Sequence, residues 1–135
     1  MRGIQGNLNS IALILASTAA RRKCDGEITP EASLMLEDVA RLQRLLHQLY
    51  WSSVVKRFSS FHSPEGLSYL LSSRLIKEDE YDSLIQAGAL GLGLHNAAIC
   101  WLTTLIWQAK ERGEIRGDDG VTRSIFANIH TLRSL

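Results

Sequence analysis

The densest group of side chains able to act on an ion surrounds Gly113, where Lys110, Glu111, Arg112, Glu114 and Arg116 fall within seven residues. Lys110, Arg112 and Arg116 are the candidate anion-attracting residues, because clustered cations raise the local concentration of anions. Taken singly, each also has a simpler reading: a cation near a helix C-terminus complements the helix dipole. Other reactive residues do not assemble into a site by motif. His47, His62, His95 and His130 are scattered, without a helix-spaced cysteine or carboxylate that would suggest zinc. Lys77-Glu78-Asp79-Glu80 reads as an acidic first helical turn and Asp118-Asp119 as a cap; neither has the spacing of a calcium loop. There is no GxSxG, no Cys-His pairing by motif and no carboxylate pair for acid–base work. The expectation is a protein that is not an enzyme and holds no metal or cofactor.

Composition narrows the class further. The chain has 135 residues, 45% hydrophobic and 21% charged, with a net charge of +1. That is ordinary globular composition, read as one helical domain over residues 1–135. It offers no basic face for nucleic acid. Cys24 and Cys100 lie far apart and read as reduced thiols of an intracellular setting. The opening residues do not read as a secretory signal: glycines and asparagines interrupt the apolar run, and Arg21-Arg22-Lys23 closes it on the wrong side.

The elements that must position these residues are helices. Asn9 or Ser10 is the candidate cap of a first helix reaching about Arg22, with Arg21, Arg22 and Lys23 at its dipole-matched end. Thr29-Pro30-Glu31 marks a restart: an N-cap, a proline at the first helical position and an acid in the first turn. A long second helix follows to about Arg57, its stripe made by Met35, Val39, Leu42, Leu46 and Leu49 and widened by Leu45, Tyr50, Val54 and Val55. Ser63-Pro64-Glu65 repeats the start signal for a short helix to about Ser73. Another runs from Lys77 or Glu78 to Ala87, with Gly88 as its terminator.

No Asp, Glu, Lys or Arg stands between Asp82 and Lys110. Gly88, Gly91 and Gly93 make the first third of that run a connector; it fits neither GxGxxG nor a P-loop. From about His95 to Arg112 the run reads as a buried helix that Gly113 ends. The last helix covers roughly Val121 to Leu132, with Ile125, Ile129 and Leu132 toward the core. No stretch alternates with a two-residue period, so the fold is expected to be all-α, a bundle of five or six helices without strands. Trp101 is expected to be the most buried aromatic. Trp107, six residues on, lies on another side of its helix, facing a second subunit or lipid.

The stretch W-L-T-T-L-I-W-Q-A-K-E-R-G-E-I-R-G-D, from Trp101 to Asp118, resembles the bestrophin family of anion channels, whose pattern reads roughly W-F-x-N-L-x-x-x-A-R-x-x-G-R-I-R-D. Val54-Val55-Lys56-Arg57-Phe58 is similar to the family's V-x-K-R-F-P, with Ser59 in place of the proline. Leu70 to Glu80 looks like its V-x-A-G-F-M-T-x-x-E block, and Asn128 to Arg133 like its E-x-N-x-L-R. The four fall in family order between Val54 and Arg133. A W-V-P element before the tryptophan aligned with Trp101 has no counterpart.

The resemblance implies that this is the cytosolic helical module placed between the second and third membrane-spanning segments of a chloride or bicarbonate channel, a truncated relative of such a channel, or a fragment of one. It implies partners as well: a homo-oligomer or full-length bestrophin-type subunits, with membrane association through the parent channel. In that setting Lys110, Arg112 and Arg116 would form a cationic ring toward permeating anions, and Trp101, Trp107 and Phe58 would be core or interface residues. The family's pore neck aligns before Met1, and its cytosolic aperture and calcium clasp after Leu135. The chain is therefore expected not to conduct by itself, and to be soluble if complete as given. The alternative is a soluble helical adaptor or modifying subunit without transport.

Overall fold

A computed structural model describes residues 2–54, 64–89, 94–116 and 119–134. They form six α-helices: α1 (Arg2–Thr18), α2 (Pro30–Val54), α3 (Pro64–Ser72), α4 (Glu78–Ala89), α5 (Leu94–Glu111) and α6 (Asp119–Ser134). Among the described residues there is no strand, only two isolated bridges, Ala19 with Ile115 and Arg21 with Ile28. The protein is an all-α bundle, as its periodicity predicts. Phe58 and the Ser63 cap lie outside the described residues.

The chain divides into two compact units, residues 1–40 with 102–135, and residues 41–101. In the first, α1 packs on α6. Leu8, Ile11 and Leu15 of α1 are buried, as are Ile125, Ile129 and Leu132 of α6, each set three or four residues apart on one helical face. Met35 and Val39 of α2 and Leu102, Ile106 and Ala109 of α5 belong to the same unit and are also buried. In the second unit α3 packs on α4, and the buried residues are Leu42, Leu45, Leu46 and Leu49 of α2, Leu67 and Leu70 of α3, Ile76, Leu84 of α4, and Leu94, Ala98 and Ile99 of α5. The α2 stripe from Met35 to Leu49 is thus buried as read from its spacing.

Local chemistry accounts for the helix ends. The Thr29 hydroxyl accepts from the Ala32 N–H at 3.2 Å, capping α2 at its third position. At the start of α4, Glu80 reaches back to accept from the Lys77 N–H at 2.9 Å, the carboxylate half of a capping box. Helix α5 ends with the Glu114 N–H on the Ala109 carbonyl and the Gly113 N–H on the Lys110 carbonyl, with Gly113 at φ 76°. This is the Schellman arrangement, which needs a left-handed residue where the glycine stands.

Three boundaries differ from expectation. Helix α1 begins by Arg2 and ends at Thr18, so Asn9 lies inside it, its side chain accepting from Gln5 at 3.0 Å in place of a cap bond. Arg21, Arg22 and Lys23 therefore do not occupy its last turn. The chain turns extended because other backbone offers it partners: the Ala20 N–H donates to the Glu114 carbonyl, the Arg116 N–H to the Thr18 carbonyl and the Thr29 N–H to the Ala20 carbonyl. Second, α4 continues through Gly88 to Ala89, so Gly88 does not end the helix as expected. Third, α6 starts two residues before Val121. No helix among the described residues is long and apolar enough to cross a membrane.

Candidate functional site: a cationic corner beyond α5

The pairing that ends α1 early also builds the site. Residues 19–21 lie between residues 114–116 and 28–29, which brings Arg21 to Arg116 across 95 positions of sequence. The Arg116 guanidinium donates to the Arg21 carbonyl. The Arg21 guanidinium donates to the Gly26 carbonyl at 3.1 Å, inside a loop closed by the Arg22 N–H on the Glu27 carbonyl and by Gly26 at φ 74°. In that loop Arg22 pairs with Asp25 through two hydrogen bonds, while the same carboxylate accepts from the Glu27 N–H at 3.0 Å.

The three predicted cations are not equivalent. Arg112 pairs with Glu114 through two parallel hydrogen bonds of 3.0 and 3.1 Å. The hydrogen bond to Glu114, then its charge, raises the Arg112 pKa further, so the guanidinium stays protonated and largely neutralised by its partner. Arg116 is held by a neutral carbonyl and pairs with no carboxylate among the described residues. Lys110 is half-buried in the last turn of α5 and has a partner of its own. Among the described residues, Arg116 and Arg21 are the cations of this corner that donate to backbone carbonyls and have no carboxylate partner. Sequence reading missed Arg21, assigning it to a helix dipole; only the bridge from Ala19 to Ile115 brings it here.

The tryptophans diverge. Trp101, expected to be the most buried aromatic, is half-buried, as are Tyr50, Tyr81 and Phe126. Trp107 is 53% exposed, and its ring meets Phe126 of α6 at a centroid distance of 5.8 Å and an interplanar angle of 47°, within the range of favourable aromatic pairs.

In the other unit the notable contact is Arg41 with Glu80, which no local pattern signals. The guanidinium donates to both carboxylate oxygens at 2.6 and 3.2 Å and to the Leu75 carbonyl at 3.0 Å. Both side chains are nearly buried, 14% and 12% exposed, and the set locks α2 to the start of α4. His95 packs edge-on against Tyr50 at 5.7 Å. Cys24 and Cys100 are free and exposed. Among the described residues no three His, Cys, Asp or Glu side chains converge as a metal site would require. The chemistry this corner offers is electrostatic, two guanidinium groups held by backbone carbonyls. No family model, curated protein or solved structure matches this chain.

Proposed function

We propose that this chain is a helical assembly module of the bestrophin anion-channel type, one that joins or modifies a chloride or bicarbonate channel and does not conduct alone. The observation that carries this reading is the corner at Arg116 and Arg21, lying within and against the stretch whose sequence resembles that family. A positive group held rigidly by backbone needs no reorganisation to face an anion, and copies repeated around an oligomer would add their fields. Consistent with a non-conducting module, none of the described helices is long and apolar enough to span a bilayer.

The test is to graft residues 7–133 into a full-length bestrophin-type channel and record anion currents. Arg116→Glu should reduce the current strongly, and Arg112→Glu less, because Arg112 is already compensated by Glu114. A grafted channel indifferent to both reversals removes the ring; current from the 135-residue chain alone in a planar bilayer removes the whole reading. A second reading, a helical adaptor without transport, is favoured by the exposure of Trp107 beside Phe126. It predicts a chain that binds a partner yet yields no current when grafted.

A further inference from the structure

The sequence contains two Asp-Gly steps, Asp25–Gly26 and Asp119–Gly120. This dipeptide carries a chemistry of its own, because glycine has no side chain to obstruct attack by its backbone nitrogen on the aspartate Cγ. A C–N bond forms and a C–O bond breaks. The oxygen departs as water, taking the amide proton and the proton of the carboxylic acid. The product is a five-membered succinimide, and water adding back at one carbonyl or the other gives aspartate or isoaspartate. Water is the only molecule released or consumed.

Asp25–Gly26 lies in the exposed loop between Arg21 and Ile28, which holds both reacting groups. The Gly26 N–H donates to the Arg22 carbonyl at 3.0 Å. One Asp25 oxygen accepts from Arg22 Nε at 3.2 Å and from the Glu27 N–H at 3.0 Å; the other accepts from a second nitrogen of the Arg22 guanidinium. Arg22 thus holds the nucleophile with its backbone and the electrophile with its side chain. Crowding gives no protection: a β-carbon at Gly26 would meet no atom within 4 Å, and the Asp25 side chain is 42% exposed. What restrains the reaction is hydrogen bonding.

We infer that Asp25–Gly26 is a latent isomerisation site and that the Arg22 side chain keeps it closed. To cyclise, the Asp25 carboxylate must leave the guanidinium and turn its carbon onto the Gly26 nitrogen, which must leave the Arg22 carbonyl. Both are local openings, set by the stability of this loop and not of the whole fold. The consequence reaches the corner. Isoaspartate routes the backbone through the side chain, adding one atom before Gly26 and displacing the carbonyl that Arg21 binds at 3.1 Å. The inference stands on the loop's geometry and is independent of the channel reading.

The experiment incubates the full chain at neutral pH and physiological temperature and locates isoaspartate by peptide mapping with mass spectrometry. Asp119–Gly120, at the start of α6, is the internal reference. In urea, where the loop is absent, both steps should isomerise at similar rates; in the folded chain Asp25 should be slower than in urea. Arg22→Gln should accelerate Asp25 in the folded chain by about fivefold, the upper range for an exposed ion pair, and leave Asp119 unchanged. Arg22→Lys should fall between the parent and Arg22→Gln. Asp25→Glu should abolish the product at that position, since its ring would need six members. A folded parent that isomerises at Asp25 as fast as in urea overturns the inference, as does an Arg22→Gln variant no faster than the parent. Equal acceleration at Asp25 and Asp119 overturns it too, because that pattern reports general unfolding.

Discussion

Arg74 closes α3 in the same left-handed backbone conformation, φ 63°, in which Gly113 closes α5 at φ 76°. The hydrogen bonds match as well: the Leu75 N–H reaches the Leu70 carbonyl and the Arg74 N–H the Leu71 carbonyl, as Glu114 and Gly113 do at the end of α5. One fold thus uses the same helix stop twice, once with the residue suited to it and once with a residue that pays a steric penalty.

Arg74→Gly is accordingly expected to stabilise the protein by about 1 kcal/mol, and Gly113→Ala to destabilise it by a similar amount. A β-carbon at Gly113 would meet no atom within 4 Å, so its cost is one of backbone conformation alone. Urea denaturation of both variants checks the pair; a destabilised Arg74→Gly would show that the arginine side chain contributes more than its backbone costs.

Glu80 serves two partners, the Arg41 guanidinium and the Lys77 N–H. Glu80→Gln should cost about 2–3 kcal/mol, since it removes the Glu80 charge from a nearly buried guanidinium. In a double-mutant cycle, Arg41→Met combined with Glu80→Gln should lose less than the two single changes added together. Strict additivity, measured by chemical denaturation, would mean the pair is not coupled.

Thr29→Ala removes the hydroxyl that accepts from Ala32, and about 1 kcal/mol of stability should go with it. Thr29→Asn should retain most of that, because asparagine caps as well as threonine does. A thermal melt of the three proteins distinguishes loss of the cap from loss of a methyl group.

Leu102 is wholly buried and Trp107 is 53% exposed, five positions apart on α5. Leu102→Ala should therefore cost about 2–5 kcal/mol, while Trp107→Ala should stay within about 0.5 kcal/mol of the parent. Equilibrium denaturation monitored by circular dichroism reads both. A large loss at Trp107 would show its contact with Phe126 to be a folding contact and not a binding surface.

What the sequence determined by itself is whatever depends on neighbours in the chain. The restart at Thr29-Pro30-Glu31, the stop at Gly113, the buried stripe from Met35 to Leu49 and the inward face of Ile125, Ile129 and Leu132 are all written in dihedral preference and three-to-four-residue spacing. These operate over a turn or two, so an all-α bundle was legible without coordinates. The tertiary structure decided what depends on distant partners. Locally, residues 19–22 extend an apolar helix, yet backbone groups some 95 positions away pair with residues 18–20 more favourably than a further turn would, and α1 stops at Thr18. That one exchange moved Arg21 from a helix end to the side of Arg116. It also separated the predicted cations: Arg112 turns to the Glu114 carboxylate, while Arg116 turns to a neutral carbonyl. Likewise Arg41 and Glu80, 39 positions apart, and Trp107 and Phe126, on two helices, meet only because packing brings their elements together. Spacing assigns a residue to a face of its own helix; which face it meets depends on the rest of the fold.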